Sequence, residues 1–192
     1  MPEIDKLRSE AREYYGDTSA HGWEHACRVE ALARRMAESE NADEDIVRLG
    51  AIFHDIGRKK ESDGEIQDHA QWGKKETDSI LTEYGYEPET VQAVTHCVES
   101  HRYSGGPDPD TVEASVVADA DNLDALGAVG IGRTFAHSGD FESTVDHVRE
   151  KILSLRDRMR TDTAREIAEK RHRFTEEFLD RFELEKARKD VP

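Results

Sequence analysis

Apolar residues recur at intervals of three and four along almost the whole chain of 192 residues, and this period constrains the fold more than any other feature. Such spacing places apolar side chains on one face of an α-helix. It continues from residue 3 to about residue 185, only 5 prolines interrupt it, and no alternating pattern of useful length indicates a strand. We therefore expect an all-α protein, although a charged fraction of 36% and an apolar fraction of 35% lean towards disorder.

Capping and breaking residues divide this pattern into segments. Asp43 is an expected N-cap, Pro88 an expected first helical residue, and the pairs Asp110 with Glu113 and Thr163 with Glu166 resemble capping boxes. Turns are expected at 16–19, 104–109 and 138–139. The predicted elements are helices over 4–16, 22–39, 43–57, 70–84, 88–101 and 110–129, a loop over 58–68, and two charged amphipathic helices over 141–160 and 163–188.

A chain of this length builds one domain of ordinary size with a helical appendage. We expect a compact helical bundle over residues 1–140 and a C-terminal helical pair, 141–192, that packs on it. The amphipathic faces of that pair are expected to serve packing or a homodimer contact.

The net charge of −16, from 27 basic and 43 acidic residues, repels polyanions. No nucleic acid polymer and no membrane is therefore expected as a partner. With 9 Lys and 18 Arg among the basic residues, the composition is typical of cytosolic proteins from halophiles, and we predict that the fold needs high salt.

The two cysteines, Cys27 and Cys97, are isolated and are expected to be reduced thiols, with a single bridge between them as the open alternative. The first ten residues contain acids and no apolar stretch, so no signal peptide is expected. The longest stretch of low charge, 114–131, contains three aspartates and is not expected to span a membrane. These features favour a cytoplasmic location.

His54 and Asp55 follow an apolar run near the inner end of a predicted helix. An ionised Asp is costly there unless it is paired or binds a cation, although a neutral His hydrogen-bonded by Asp is an equal alternative. Three further aspartates, Asp119, Asp121 and Asp124, interrupt the most apolar helix and raise the same problem. A divalent ion bound by aspartates from both segments would compensate their buried negative charge.

Imidazole nitrogens and carboxylate oxygens suit Mn²⁺, Mg²⁺, Fe²⁺, Co²⁺ or Zn²⁺. Such an ion lowers the pKa of bound water and polarises a phosphoryl or carbonyl oxygen. The residues therefore favour metal-assisted hydrolysis.

The order His25, His54-Asp55, Asp121 resembles the H…HD…D motif of the HD-domain metal-dependent phosphohydrolases, whose fold is an all-α bundle. The resemblance covers about residues 19–133. Three strings are similar to one subfamily, stand-alone HD hydrolases that include nucleotide pyrophosphatases: residues 25–29 to H-x-x-R-V, 101–106 to H-S-F-S-G, and 118–133 to D-A-D-R-L-D-A-I-G-A-I-G-I-A-R.

This resemblance implies that His25, His54, Asp55 and Asp121 are the metal ligands. Asp121 is preferred because it matches the family's A-D-x-L context. Helical residues two apart point to different sides, so Asp119 is not expected to bind the same ion. Asp119 and Asp124 would then cap a helix or orient a histidine.

His69 resembles an additional histidine that some nucleotide-cleaving members keep beside the metal, where it would protonate the leaving phosphate oxygen. A solvent-exposed histidine at a helix start is the equal alternative. Lys59 and Asp55 complete the catalytic candidates. Arg58 stands where several members have a carboxylate or histidine, which leaves metal-activated water as nucleophile and Glu61 as a substitute base.

Four cations, Lys59, Lys60, Arg102 and Arg133, lie near the expected site, and all except Lys60 are candidates for binding substrate phosphate. A second metal, bound through His96 and His101, ranks behind a one-metal site.

The leading hypothesis is a metal-dependent phosphohydrolase that cleaves a small phosphate ester or anhydride, with a nucleotide as the favoured substrate and pyrophosphatase or phosphatase activity. One alternative is a di-iron HD-type oxygenase with His69 and His96 as extra ligands. The other is a non-catalytic nucleotide-binding HD module that signals through its C-terminal helices.

Overall fold

The computed structural model describes residues 4–16, 21–102, 105–138 and 140–191, and these form helices and connecting turns without a strand. This confirms the all-α prediction. The helices are α1 (Ile4–Arg12), α2 (Trp23–Glu40), α3 (Glu44–Phe53), α4 (Arg58–Ser62), α5 (His69–Glu83), α6 (Pro88–Ser100), α7 (Val112–Asp124), α8 (Gly127–His137), α9 (Phe141–His147) and α10 (Asp162–Lys186).

Helices α3 and α6 begin where the sequence predicts. The Asp43 carboxylate accepts hydrogen bonds from the N–H groups of Asp45 and Ile46 at the start of α3, and Pro88 is the first residue of α6. The predicted turn residues 17–19, residues 103–104 of the string similar to H-S-F-S-G, and Gly139 lie outside the described residues.

Both predicted capping boxes are wrong by one or two residues. Thr111, not Asp110, caps α7 by accepting the N–H of Ala114, and Thr161, not Thr163, caps α10 by accepting the N–H of Ala164. A threonine hydroxyl satisfies the N–H three residues later, which sets the register of each helix.

Three predicted segments differ from the structure. The expected loop 58–68 contains the short helix α4, and the helix expected to run through Val129 breaks between α7 and α8 at Gly127, whose φ is +77°. The expected helix 141–160 consists of α9, a π-helical stretch (Val148–Ile152) and a 3₁₀-helix (Leu153–Arg158). These breaks turn α8 and the segment after α9 towards the end of α7.

The core contains two apolar clusters. One joins α1, α3, α5 and α6, and the other joins α2, α3 and α7 to C-terminal side chains such as Val145, Leu155 and Ala168. Residues on both sides of position 140 therefore share one core. Both cysteines are free thiols, so the alternative of a bridge is excluded. Among the described helices, none has the length and apolarity needed to cross a membrane.

Candidate metal centre and active site

Four side chains from three parts of the chain converge on one point. The Nε2 atom of His25, on α2, lies 3.2 Å from the Nε2 atom of His54, directly after α3, and 3.2 Å from Oδ1 of Asp121, on α7. The Oδ2 atom of Asp55 lies 3.9 Å and 3.7 Å from the same two Nε2 atoms. Ligand atoms bound to one ion at about 2.0–2.2 Å stand roughly 3–4 Å apart, so this donor set fits a divalent ion.

The orientation of the two imidazoles also fits a cation. His54 Nδ1 donates to the carbonyl of Ala51 at 2.7 Å, and His25 Nδ1 donates to Asp124 at 2.8 Å, which leaves both Nε2 lone pairs pointing into the cluster. Burial lowers the pKa of His54 to about 4, so this imidazole is neutral near pH 7. Burial also opposes charge on His25, but hydrogen bonds to Asp121 and Asp124 raise its pKa, which shows that the cluster attracts positive charge.

The three aspartates of α7 have separate positions. Asp119 is fully buried and accepts from the N–H groups of Arg160 and Thr161, away from the histidines. Asp124 accepts from His25, Arg28 and Arg133. Only Asp121 faces the cluster, as its family context implies.

A second group of donors lies on the other side of Asp55. The Nε2 atoms of His69 and His101 lie 3.4 Å and 3.5 Å from Asp55 Oδ1 and 3.3 Å from each other. That oxygen is buried and has no hydrogen-bond partner among the described residues. His69 Nδ1 donates to Glu61 at 2.9 Å, and His101 Nδ1 donates to the carbonyl of Val98 at 2.7 Å. These residues fit a second ion, with Asp55 shared between two sites.

His96 does not belong to this second group. Its Nε2 atom lies 2.6 Å from Asp110 Oδ1 and its Nδ1 atom 3.5 Å from Glu99. His96 and His101 are five residues apart, about 140° around a helix, and therefore face different sides. The alternative in which His96 supplies a ligand does not fit the structure, because His69 occupies the place beside His101.

His21 is a site residue that sequence reasoning missed. Its Nδ1 atom lies 2.9 Å from Asp55 Oδ2, and its side chain lines the pocket beside the cluster. His21 precedes the first residue of α2, so helical spacing from His25 does not predict its position, and no sequence signal identified it.

Only some of the cations that were expected to bind phosphate lie at the site. Lys59 is exposed, pairs with Asp63 at 2.5 Å and does not line the pocket, so the structure does not bring it to the site. Arg58 does line it, with Nε 3.4 Å from Asp55 Oδ1 and Nη1 2.9 Å from Glu61. Neighbouring helical residues point about 100° apart, so only one of them faces inward. Lys60 pairs with Glu65 at 2.9 Å.

Arg102 and Arg133 do line a pocket of about 330 Å³ that opens beside the cluster. Arg102 pairs with Asp68 at 2.7 Å, and Arg133 pairs with Asp124 at 2.5 Å. Glu61 is held by His69 and Arg58, which lowers its pKa against the effect of burial and makes it a carboxylate that orients His69. The other wall comes from α8, the end of α9 and the segment that follows it: Gly130, Thr134, His137, His147, Lys151, Ile152 and Leu155.

Known proteins share this architecture. Residues 22–126 match the HD domain family. YpgQ of Bacillus subtilis is 37% identical over 205 residues, which span 100% of this chain and 95% of YpgQ. The crystal structure of YpgQ in complex with ADP has a TM-score of 0.77 at 35% identity and covers 99% of this chain and 98% of that one.

Two further crystal structures are similar. A predicted HD superfamily hydrolase from an uncultured Thermotogales bacterium has a TM-score of 0.76 at 30% identity, covering 96% of this chain and 93% of that one. An HD-superfamily hydrolase from Bacillus thuringiensis has a TM-score of 0.76 at 32% identity, covering 95% of each chain. With its helical bundle and its converging His and Asp residues, this chain belongs to the HD domain family, among the HD-superfamily hydrolases.

Proposed function

We propose that the protein is a metal-dependent phosphohydrolase that cleaves a small phosphate ester or anhydride, with a nucleotide as the favoured substrate. The observation that carries the proposal is the convergence of His25, His54, Asp55 and Asp121, whose donor atoms lie within 4.0 Å of His54 or His25 Nε2. Such a donor set, open to a pocket on one side, suits catalysis better than a closed structural site.

These four residues would hold one divalent ion, and Asp55, His69 and His101 would hold a second. When bound, the metal polarises a phosphoryl oxygen and lowers the pKa of a water molecule. Asp124 and the Ala51 carbonyl fix the imidazoles of His25 and His54, so the ligands are arranged before substrate arrives.

The chain's own cations would bind the substrate. Arg58, Arg102 and Arg133 line the pocket beside the cluster, and guanidinium groups bind phosphoryl oxygens through paired hydrogen bonds. We assign Arg58 the role expected for Lys59. Positive charge in this position stabilises the charge that develops on phosphoryl oxygens during transfer.

His69 is assigned a ligand role in preference to proton donation. Burial lowers its pKa to about 4, so the imidazole is neutral near pH 7 and carries no proton on the nitrogen that faces Asp55. Glu61 holds the opposite nitrogen, an arrangement typical of metal-binding histidines.

A nucleotide is favoured as substrate because YpgQ, a relative of nearly the same length, was crystallised with ADP. The pocket combines guanidinium groups with apolar side chains such as Ile152, which suits a molecule with phosphate and ring parts.

The test measures metal content and the release of phosphate or pyrophosphate from a panel of nucleotides with Mn²⁺ supplied. We expect turnover by the wild type and a loss of at least 100-fold in His54→Ala and in Asp121→Ala, with metal content reduced in both. The matched control is Asp78→Asn, on the exposed face of α5. Inactivity of the wild type on every phosphorylated compound would refute the proposal.

A di-iron oxygenase is the second candidate, because two donor groups share Asp55. Two irons per chain with oxygen uptake would favour it, whereas one redox-silent ion per chain would exclude it. The third candidate, a non-catalytic nucleotide-binding module, would bind nucleotide tightly without turnover.

A further inference from the structure

The pocket beside the metal cluster has a far wall that no catalytic role uses. This wall carries His137 from the end of α8, His147 from the end of α9, and Lys151 from the π-helical stretch that follows. All three side chains belong to exposed residues at the mouth of the pocket. They lie beyond residue 126, where the match to the HD domain family ends.

These three basic side chains lie close enough to affect one another. Burial lowers the pKa of His147, and the nearby positive charges of Lys151 and His137 lower it further. The lowered pKa keeps His147 neutral near pH 7, so Lys151 supplies the charge at this wall, and an anion bound beside His147 would favour its protonation. In a chain of net charge −16, such a wall is a place where an anionic ligand is attracted against the overall field.

The same pocket contains His101, Asp121 and Arg133 at its inner end. One ligand can therefore contact the metal cluster and the outer basic group at the same time. A phosphate monoester bound at the metal cluster has no further phosphate that could reach the outer basic group. A chain of two or more phosphates carries negative charge at both ends and can contact both.

We propose that His137, His147 and Lys151 form a second anion subsite, which binds the distal phosphate of a substrate that carries two or more phosphates. The inference rests on the proposed function, in which another phosphate of the same molecule lies at the metal cluster. It makes nucleoside di- and triphosphates the preferred substrate class over phosphate monoesters.

The test uses the full chain and two probes, inorganic tripolyphosphate and orthophosphate, with binding measured by calorimetry. We expect Lys151→Gln to weaken tripolyphosphate binding about tenfold, because one charge-assisted hydrogen bond is lost. Orthophosphate binding should change less than twofold, and Lys151→Arg should restore most of the tripolyphosphate affinity. The matched control is Lys170→Gln, at an exposed lysine of α10 outside the pocket.

Kinetics supply an independent measurement. In Lys151→Gln and His147→Gln, KM for a nucleoside triphosphate should rise about tenfold with little change in kcat, while kcat/KM for p-nitrophenyl phosphate stays within twofold of the wild type. Equal losses on both substrates, or unchanged tripolyphosphate affinity in the variants, would overturn the subsite.

The two proposals fail in different ways. Weakened tripolyphosphate binding in Lys151→Gln, in a protein that hydrolyses nothing, supports the subsite and refutes the phosphohydrolase. Unchanged binding in an active enzyme refutes the subsite and supports the phosphohydrolase.

Discussion

Every imidazole of the two donor groups is held by a hydrogen bond from Nδ1. The acceptors are Asp124 for His25, the Ala51 carbonyl for His54, Glu61 for His69 and the Val98 carbonyl for His101. Two of these acceptors are backbone carbonyls three residues earlier, at the ends of α3 and α6. A histidine at a helix end therefore orients itself without help from another side chain, and its Nε2 lone pair faces the centre.

The neutral state of His54 predicts a pH dependence of stability in the metal-free protein. Its pKa is about 4 in the folded state, against about 6.5 for a solvent-exposed histidine, so the unfolded chain binds more protons between these values. The free energy of unfolding should therefore fall as the pH drops from about 6.5 to about 4, by on the order of 3 kcal/mol from this group.

Urea denaturation at pH 7, 6 and 5 measures this decline. The variant His54→Gln lacks the titration, so its free energy of unfolding should fall by about 2 kcal/mol less than that of the wild type between pH 7 and pH 5. Parallel declines in the two proteins would contradict the prediction.

A backbone contact between the start of α4 and the start of α5 positions His69. A Cβ atom at Gly57 would lie 2.5 Å from the carbonyl oxygen of His69, so the backbones of the two segments touch there. Only glycine permits this approach, which sets the start of α5 against Asp55.

The substitution Gly57→Ala should displace the start of α5 and reduce hydrolytic activity at least tenfold, with the helical circular dichroism unchanged. The matched control is Gly132→Ala in α8, where no atom lies within 4 Å of the added Cβ. That variant should gain about 0.5–1 kcal/mol of stability. Full activity of Gly57→Ala would show that α5 tolerates the shift.

Asp119 joins two elements, because its carboxylate on α7 accepts the N–H groups of Arg160 and Thr161 before α10. Asp119→Ala leaves those buried N–H groups without an acceptor and should lower the free energy of unfolding by about 3 kcal/mol. Metal content should stay at the wild-type value, in contrast to Asp121→Ala. Loss of metal in Asp119→Ala at full stability would reverse the assignment of the two aspartates.

On the scale of the whole molecule, the C-terminal helices complete both the core and the pocket. Leu155 belongs to the larger apolar cluster and also lines the pocket. Packing of the C-terminal segment therefore shapes the space available to substrate, and the pocket forms only when that segment is docked.

The net charge of −16 predicts that salt stabilises the fold, because counterions screen repulsion among the acidic side chains. The Tm should rise by several degrees between 0.1 M and 2 M KCl, since 1 kcal/mol shifts Tm by about 2–4 °C in a domain of this size. Sucrose serves as a control that stabilises without screening. An unchanged or higher Tm in dilute buffer would contradict this prediction and the expected halophilic source.

The sequence by itself determined the all-α class and most helix positions, and its resemblance to the HD-domain family indicated the four residues that meet at the cluster. The apolar periodicity and the order of His25, His54, Asp55 and Asp121 can both be identified in the sequence without knowledge of the fold. Capping patterns are less exact: Thr161 caps α10, whereas the sequence predicted Thr163, two residues later.

Only the tertiary structure decided which neighbouring residues face the site. Arg58 lines the pocket and Lys59 does not, His69 joins His101 and His96 does not, and His21 reaches Asp55 from the segment before α2. These choices depend on the rotation of each helix about its axis. That rotation is set by packing between segments far apart in sequence, such as the contact of Gly57 with His69, and composition or spacing carries no record of it.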